Sequence, residues 1–210
     1  SKTKAIYVVH YGGQMCDMDP IMAIAKKHNL VVVEDAAHSP GAEYKGRKCG
    51  SIADFTIFSF HSLKNMTTCG EGGMVTTDND EYAKKLYLLR TMGVKSYADQ
   101  KDYWLPYHYD VVTIDGAIGC NFRMNEVAAA CGRGQLKKLD NTLNKKRMDI
   151  GKYLNAGLKD VEGIEIPYED PNCKHLYYLY TLKYYPEIVG ASKDDFIREL
   201  YYTYGIQPIM

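Results

Sequence analysis

Two short apolar runs, AIYVV at 5–9 and LVVV at 30–33, bracket a stretch whose apolar residues recur at helical spacing. A strand, a helix and a second strand in that order favour parallel pairing, because the crossover helix returns the chain to the same end of the sheet. Near-continuous apolar strands are those buried on both faces. Within 17–28, Met18, Ile21, Met22, Ile24 and Ala25 follow the helical period, and Asp19 reads as an N-cap with Pro20 at the first helical position. Further strands are expected at 54–60 and 73–77, with an amphipathic helix at 79–89. The first 92 residues therefore read as an α/β sheet.

Beyond them the pattern loosens. Residues 93–123 hold tyrosines, Trp104 and Pro106 without clear period, as in a long loop packed by aromatics. Helical periodicity returns over 124–158, with Gly132 and Gly134 arguing against one straight rod. A strand at 177–183, a helix capped by Ser192 and a strand from Ile206 complete the reading. The fold class expected is α/β, a mostly parallel sheet sandwiched by helices, followed by the start of a small α/β unit.

Composition narrows the functional classes. Lysine plus arginine equals aspartate plus glutamate at 26 each, so no bulk field recruits nucleic acid or an anionic membrane surface. No apolar run approaches the length needed to span a bilayer, and no leader-like segment precedes the first strand. The six cysteines form no CxxC and no zinc-like cluster, so no metal is expected. Scattered thiols of this kind suggest a cytoplasmic protein.

Chemistry-bearing residues fall just past strand ends. VVVEDAAHS places Glu34, Asp35 and His38 there, and FSFHSLKN places Ser59, His61 and Lys64 beyond another strand. Open α/β sheets bind ligands in the crevice outside the carboxyl ends of their strands. An acid and a lysine at that rim suit pyridoxal 5′-phosphate (PLP). That cofactor needs a primary amine to hold it covalently, a carboxylate to keep its ring nitrogen protonated, and hydroxyl or amide donors for its phosphate. Each residue alone has a plainer reading. Asp35 could be a turn residue, Lys64 a surface charge, Ser59 a strand residue and His38 a loop histidine. Gly70-Glu-Gly-Gly73 does not match the dinucleotide fingerprint, which argues against a Rossmann-type enzyme.

The order and wording of these segments add a resemblance. VVEDAAHSPGAEYKGRKCGSIADFTIFSFHSLKNMTTCGEGGMVTTD resembles the nucleotide-sugar aminotransferases of the DegT/StrS type, PLP enzymes of fold type I. The likeness continues through LRTMG at 89–93, GCNFRMNEVAAA at 119–130 and QLKKLD at 135–140. It implies that Lys64 holds the cofactor covalently, that Asp35 pairs with the ring nitrogen, and that His38 lies beside the ring. Ser59 would bind the phosphate, and Asn121 would reach the cofactor phosphate of a partner subunit, which implies a homodimer with composite sites. The implied domains are a PLP-binding large-domain portion at 1–123, a connecting helical region at 124–158 and a partial small C-terminal domain at 159–210.

The implied reaction moves an amino group from an amino-acid donor, glutamate in most of the family, to a keto group on a nucleotide-linked sugar. The 4-keto position is the closest match in wording, and 3-keto sugars are the near alternative. Relative to the family, an upstream portion with a phosphate-binding turn and the rest of the small domain are not in the chain, so it is expected to be part of a longer polypeptide. The rival expectation is a catalytically incomplete fragment, or a non-enzymatic homologue acting as a regulatory or interaction protein. The presence of Lys64 favours the enzyme.

Overall fold

A computed structural model describes residues 2–95 and 111–208. Four strands form the main sheet in the order β1-β2-β5-β6: β1 (Ala5–Val9), β2 (Val31–Asp35), β5 (Phe55–Ser59) and β6 (Gly73–Thr76). The first three are parallel, and β6 returns antiparallel to β5. Between β2 and β5 the chain makes two short strands, β3 (Glu43–Tyr44) and β4 (Arg47–Lys48), which pair with each other and with β8 (Cys173–Lys174) from far downstream.

Helices cover both faces of the sheet. α1 (Met18–His28) lies on the face of Val8, Val32 and Glu34, where Met18, Ala25 and Leu176 join them in one buried core. Fully burying a side chain such as Val32 contributes on the order of 2 kcal/mol. α2 (Asp80–Arg90) lies on the other face, where Tyr82 stacks on Phe55 with ring centroids 4.7 Å apart. Asn79 caps α2, its side chain accepting from the Glu81 and Tyr82 N–H groups. The first helix begins earlier than its sequence suggests. Asp17, not Asp19, occupies the N-cap position, and Pro20 falls inside the first turn. Proline is tolerated there because the first N–H groups of a helix have no intrahelical acceptor.

The expected helix at 124–158 is interrupted, although not at its glycines. α3 (Glu126–Leu136) ends before a π-helical turn at Leu139–Asn144, and α4 (Lys145–Leu158) follows. The turn points Leu139 and Asn144 inward. Asn144 is fully buried, donates to the Pro40 carbonyl and accepts from Asn65. A wider turn at this point lets a polar side chain reach partners that a regular helix would direct elsewhere.

The C-terminal section departs most from its sequence reading. The expected strand at 177–183 is absent, and only β9 (Lys183–Tyr184) pairs there, with β7 (Ile164–Glu165). Tyr177 has a left-handed backbone (φ 50) that breaks any strand. Its ring is buried against Gly151, and its hydroxyl bonds Glu169 and Asn155. α5 (Pro186–Val189) and α6 (Lys193–Tyr202) follow, with Ser192 capping α6 as expected. Residues 205–208 form no strand. The expected aromatic loop falls partly outside the described residues, Trp104 and Pro106 included.

One polar pair is sealed inside the core. His10 and Glu34 are each fully buried, with Nε2 and Oε1 3.2 Å apart. The Cys16 N–H donates to His10 Nδ1, so the ring's proton sits on Nε2 and goes to Glu34. Thr56 donates to the other carboxylate oxygen at 2.5 Å. Burial raises the Glu34 pKa, but the bonds from His10 and Thr56 outweigh it and hold the carboxyl below its ordinary value. A depressed folded-state pKa gives stability that is complete above the unfolded value and is lost as pH falls through the folded one. Melting temperature is therefore expected to hold between pH 7 and 5 and to drop below about pH 4.5. Glu34→Ala should cost about 1–3 kcal/mol in urea unfolding, because it leaves the buried His10 N–H and Thr56 hydroxyl without their acceptor, and a change within error would show that the pair contributes nothing.

Candidate active site

The register of the sheet sets the site. Val9 lies opposite Asp35, and Asp35 opposite Ile57. Residues alternate between faces along a strand, so Tyr7, Asp35, Ile57 and Ser59 share one face. That is the face opposite the His10–Glu34 core. An apolar cavity of about 370 Å³, lined by Phe58, Phe60, Met74, Met124 and Leu136, opens from the core face instead. It lies away from the acid.

Asp35 ends β2 with both carboxylate oxygens engaged. Tyr7 donates its hydroxyl to Oδ2 and Ala37 its N–H to Oδ1, each at 3.0 Å. Two donors to one carboxylate fix its direction.

His38 follows after one turn. Gly12 donates its N–H to Nδ1 at 3.4 Å, and the ring of Tyr178 stacks on the imidazole with centroids 4.3 Å apart. Tyr11 stands at 5.5 Å, tilted. Burial lowers the His38 pKa, the charge of Lys64 lowers it further, and Asp35 acts in the opposite sense. His38 is thus a neutral imidazole at neutral pH, set between an amine and an acid.

Lys64 reaches the same place from the turn after β5, where its N–H donates to the His61 carbonyl. Its ammonium lies 5.1 Å from the centre of the Tyr178 ring, and the Arg147 guanidinium lies 5.7 Å from it. Among the described residues no carboxylate forms an ion pair with Lys64. Lys64, Asp35 and His38 are therefore brought together. Ser59 is half-buried at the end of β5 on the Asp35 face, and its hydroxyl accepts the His61 N–H at 3.4 Å. Asn121 is not in the cluster. It is exposed, bridges Thr91, and accepts the Arg123 N–H.

Sequence reading missed Tyr178, Tyr11 and Arg147. Nothing in their spacing joins position 178 to position 38, because the connection runs through backbone. Leu176 donates its N–H to the Gly13 carbonyl and Leu179 to that of Gly12. Gly13 has φ 101, and a Cβ there would meet the Tyr178 nitrogen at 3.0 Å and the His38 oxygen at 3.3 Å. Glycine at 13 allows the two segments to close. The Tyr11-Gly-Gly13 turn was the available signal.

His10, Glu34 and Cys49 place ligand atoms within 4.8 Å of one another, as a metal centre would. Both ring nitrogens of His10 already have protein partners, so hydrogen bonding accounts for the group.

The profile of the DegT/DnrJ/EryC1/StrS aminotransferase family matches residues 1–207. The GDP-perosamine synthase of Caulobacter vibrioides is 38% identical over 199 residues, covering 95% of this chain and 50% of that protein. A UDP-4-amino-4,6-dideoxy-N-acetyl-beta-L-altrosamine transaminase of Campylobacter jejuni is 37% identical, covering 97% and 50%. The structure of Spr1654 from Streptococcus pneumoniae in its PLP form superposes with a TM-score of 0.79 at 31% identity, covering 98% of this chain and 53% of that one. The chain thus spans about half the length of the relatives it matches. It belongs to the DegT/DnrJ/EryC1/StrS aminotransferase family.

Proposed function

We propose that the chain supplies the lysine-and-acid part of a PLP-dependent sugar aminotransferase, moving an amino group from an amino acid, glutamate, to a keto group of a nucleotide-linked sugar. The carrying observation is the convergence of Lys64 and Asp35 on His38. The donor set fits the cofactor: one amine without a carboxylate partner among the described residues, one carboxylate held by two donors, a neutral imidazole near both, and a strand-end hydroxyl on the face of the acid. When bound, PLP supplies an electron sink for charge developing at the substrate carbon.

The residues of the chain divide the remaining work. Asp35 would hold the proton on the ring nitrogen, and its bonds to Tyr7 and Ala37 keep it aimed. Lys64 anchors the cofactor and, once released, moves the proton at the substrate carbon as a general base and acid. His38 lies flat against Tyr178, beside the ring's place. Ser59 binds phosphate, and Asn121, exposed and outside the cluster, serves the site of a second copy in a homodimer.

The amino acceptor is proposed as a 4-keto sugar, supported by the relatives named for 4-amino products. A spectroscopic half-reaction tests this function. Glutamate should convert the bound cofactor to its amine form, and a panel of nucleotide keto-sugars should return it, the 4-keto sugars fastest. Return only by 3-keto sugars would overturn the acceptor. No conversion by any amino acid in the complete enzyme would overturn the reaction.

A further inference from the structure

The segment that joins Lys64 to β6 carries a cysteine where backbone geometry favours glycine. Cys69 has φ 66, in the left-handed region, and is exposed. A non-glycine residue held there points to a use for its side chain. Its neighbours show what it faces. A Cβ on Gly132 of α3 would lie 2.8 Å from Thr68 Cγ2, so the segment is pressed against that helix one residue before Cys69. Adjacent to Gly132, the half-buried thiol of Cys131 donates to the Thr67 carbonyl at 3.7 Å. Cys69 follows Thr67 and Thr68 directly, which sets its thiol beside that of Cys131, and this neighbour raises its pKa. The remaining thiols are differently placed. Cys16 and Cys173 donate to the carbonyls of Val9 and Met15, Cys49 is buried beside Ser39, and Cys120 is exposed, its N–H donating to the Leu89 carbonyl.

We propose that Cys69 and Cys131 are a thiol pair that closes reversibly into a disulfide, pinning the glycine-rich segment after Lys64 to α3. The oxidant is a low-molecular-weight disulfide such as oxidised glutathione. The exposed Cys69 thiolate attacks one of its sulfurs and expels one glutathione. Cys131 then attacks the Cys69 sulfur and expels the second. Two protein thiols lose two electrons and two protons, and one glutathione disulfide becomes two glutathiones. All six cysteines are free in the structure, so this is the reduced state. Formation of the bond does not depend on the aminotransferase reading. Only its bearing on Lys64 does.

The test is thiol mapping after exposure to oxidised glutathione. Two of the six thiols should resist alkylation, and digestion should yield one peptide pair joined through positions 69 and 131, released by dithiothreitol. Hydrogen exchange over 66–72 should slow by about tenfold in the oxidised form. Cys69→Ser, at an exposed position, should fold normally and lose no thiol. A cross-link to any other cysteine, a lasting glutathione adduct on Cys69 with Cys131 still alkylated, or six reactive thiols in the treated wild type would each overturn the proposal.

Discussion

Lys64→Ala is expected to abolish transamination, by at least about a thousandfold, while leaving the fold intact. The lysine is half-buried and no carboxylate among the described residues pairs with it, so its removal frees no buried charge there. On the proposed function, what it removes is the amine that would anchor the cofactor and carry the proton at the substrate carbon. Added methylamine should restore part of the proton transfer but not the covalent link to the protein. A variant with wild-type turnover would mean that the reaction runs through another residue.

Asp35→Asn is expected to separate binding from chemistry. The amide keeps the size of the carboxyl, and its oxygen can still accept from the Ala37 N–H, while its NH2 group, set where Oδ2 was, donates to the Tyr7 hydroxyl oxygen. Cofactor should therefore remain bound, with its dissociation constant changed by less than about tenfold. The lost negative charge no longer holds a proton on the ring nitrogen, and the rate of proton abstraction should fall by about a hundredfold or more. The comparison is made by titrating PLP into both proteins and following the half-reaction with glutamate. Equal half-reaction rates would remove Asp35 from the chemistry and leave it a structural turn residue.

Much of the site was legible because its parts are local. The apolar runs at 5–9 and 30–33 specify neighbouring parallel strands, and acids immediately after such a run must emerge at the strand's carboxyl end. Lys64 follows β5 by only five residues, which confines it to the same rim. The amphipathic helix over 80–90 and the Ser192 cap were readable for the same reason.

The parts that depend on distant contacts were not legible. The π-helical turn at Leu139–Asn144 exists because Asn144 satisfies Pro40 and Asn65, residues about a hundred and about eighty positions away. Tyr177 and Tyr178 lie in a run that reads as a strand, yet Tyr177 turns left-handed to bury its ring against Gly151. That turn, with the bonds from 176 and 179 to the glycine turn, delivers Tyr178 to His38. Tertiary packing overrides strand propensity here. The His10–Glu34 pair shows the same limit, since a polar residue just past one apolar strand and another within the next reveal their burial only once their bonds are seen.

The central claim is that one cofactor bridges the amine at 64 and the carboxylate at 35. Its most direct test is borohydride reduction of the yellow PLP complex of the complete polypeptide, followed by peptide mass spectrometry. The account predicts a single pyridoxyl adduct, on the peptide that contains Lys64, and none on that peptide in Lys64→Ala. An adduct spread over other lysines, with Lys64 unmodified, would contradict it.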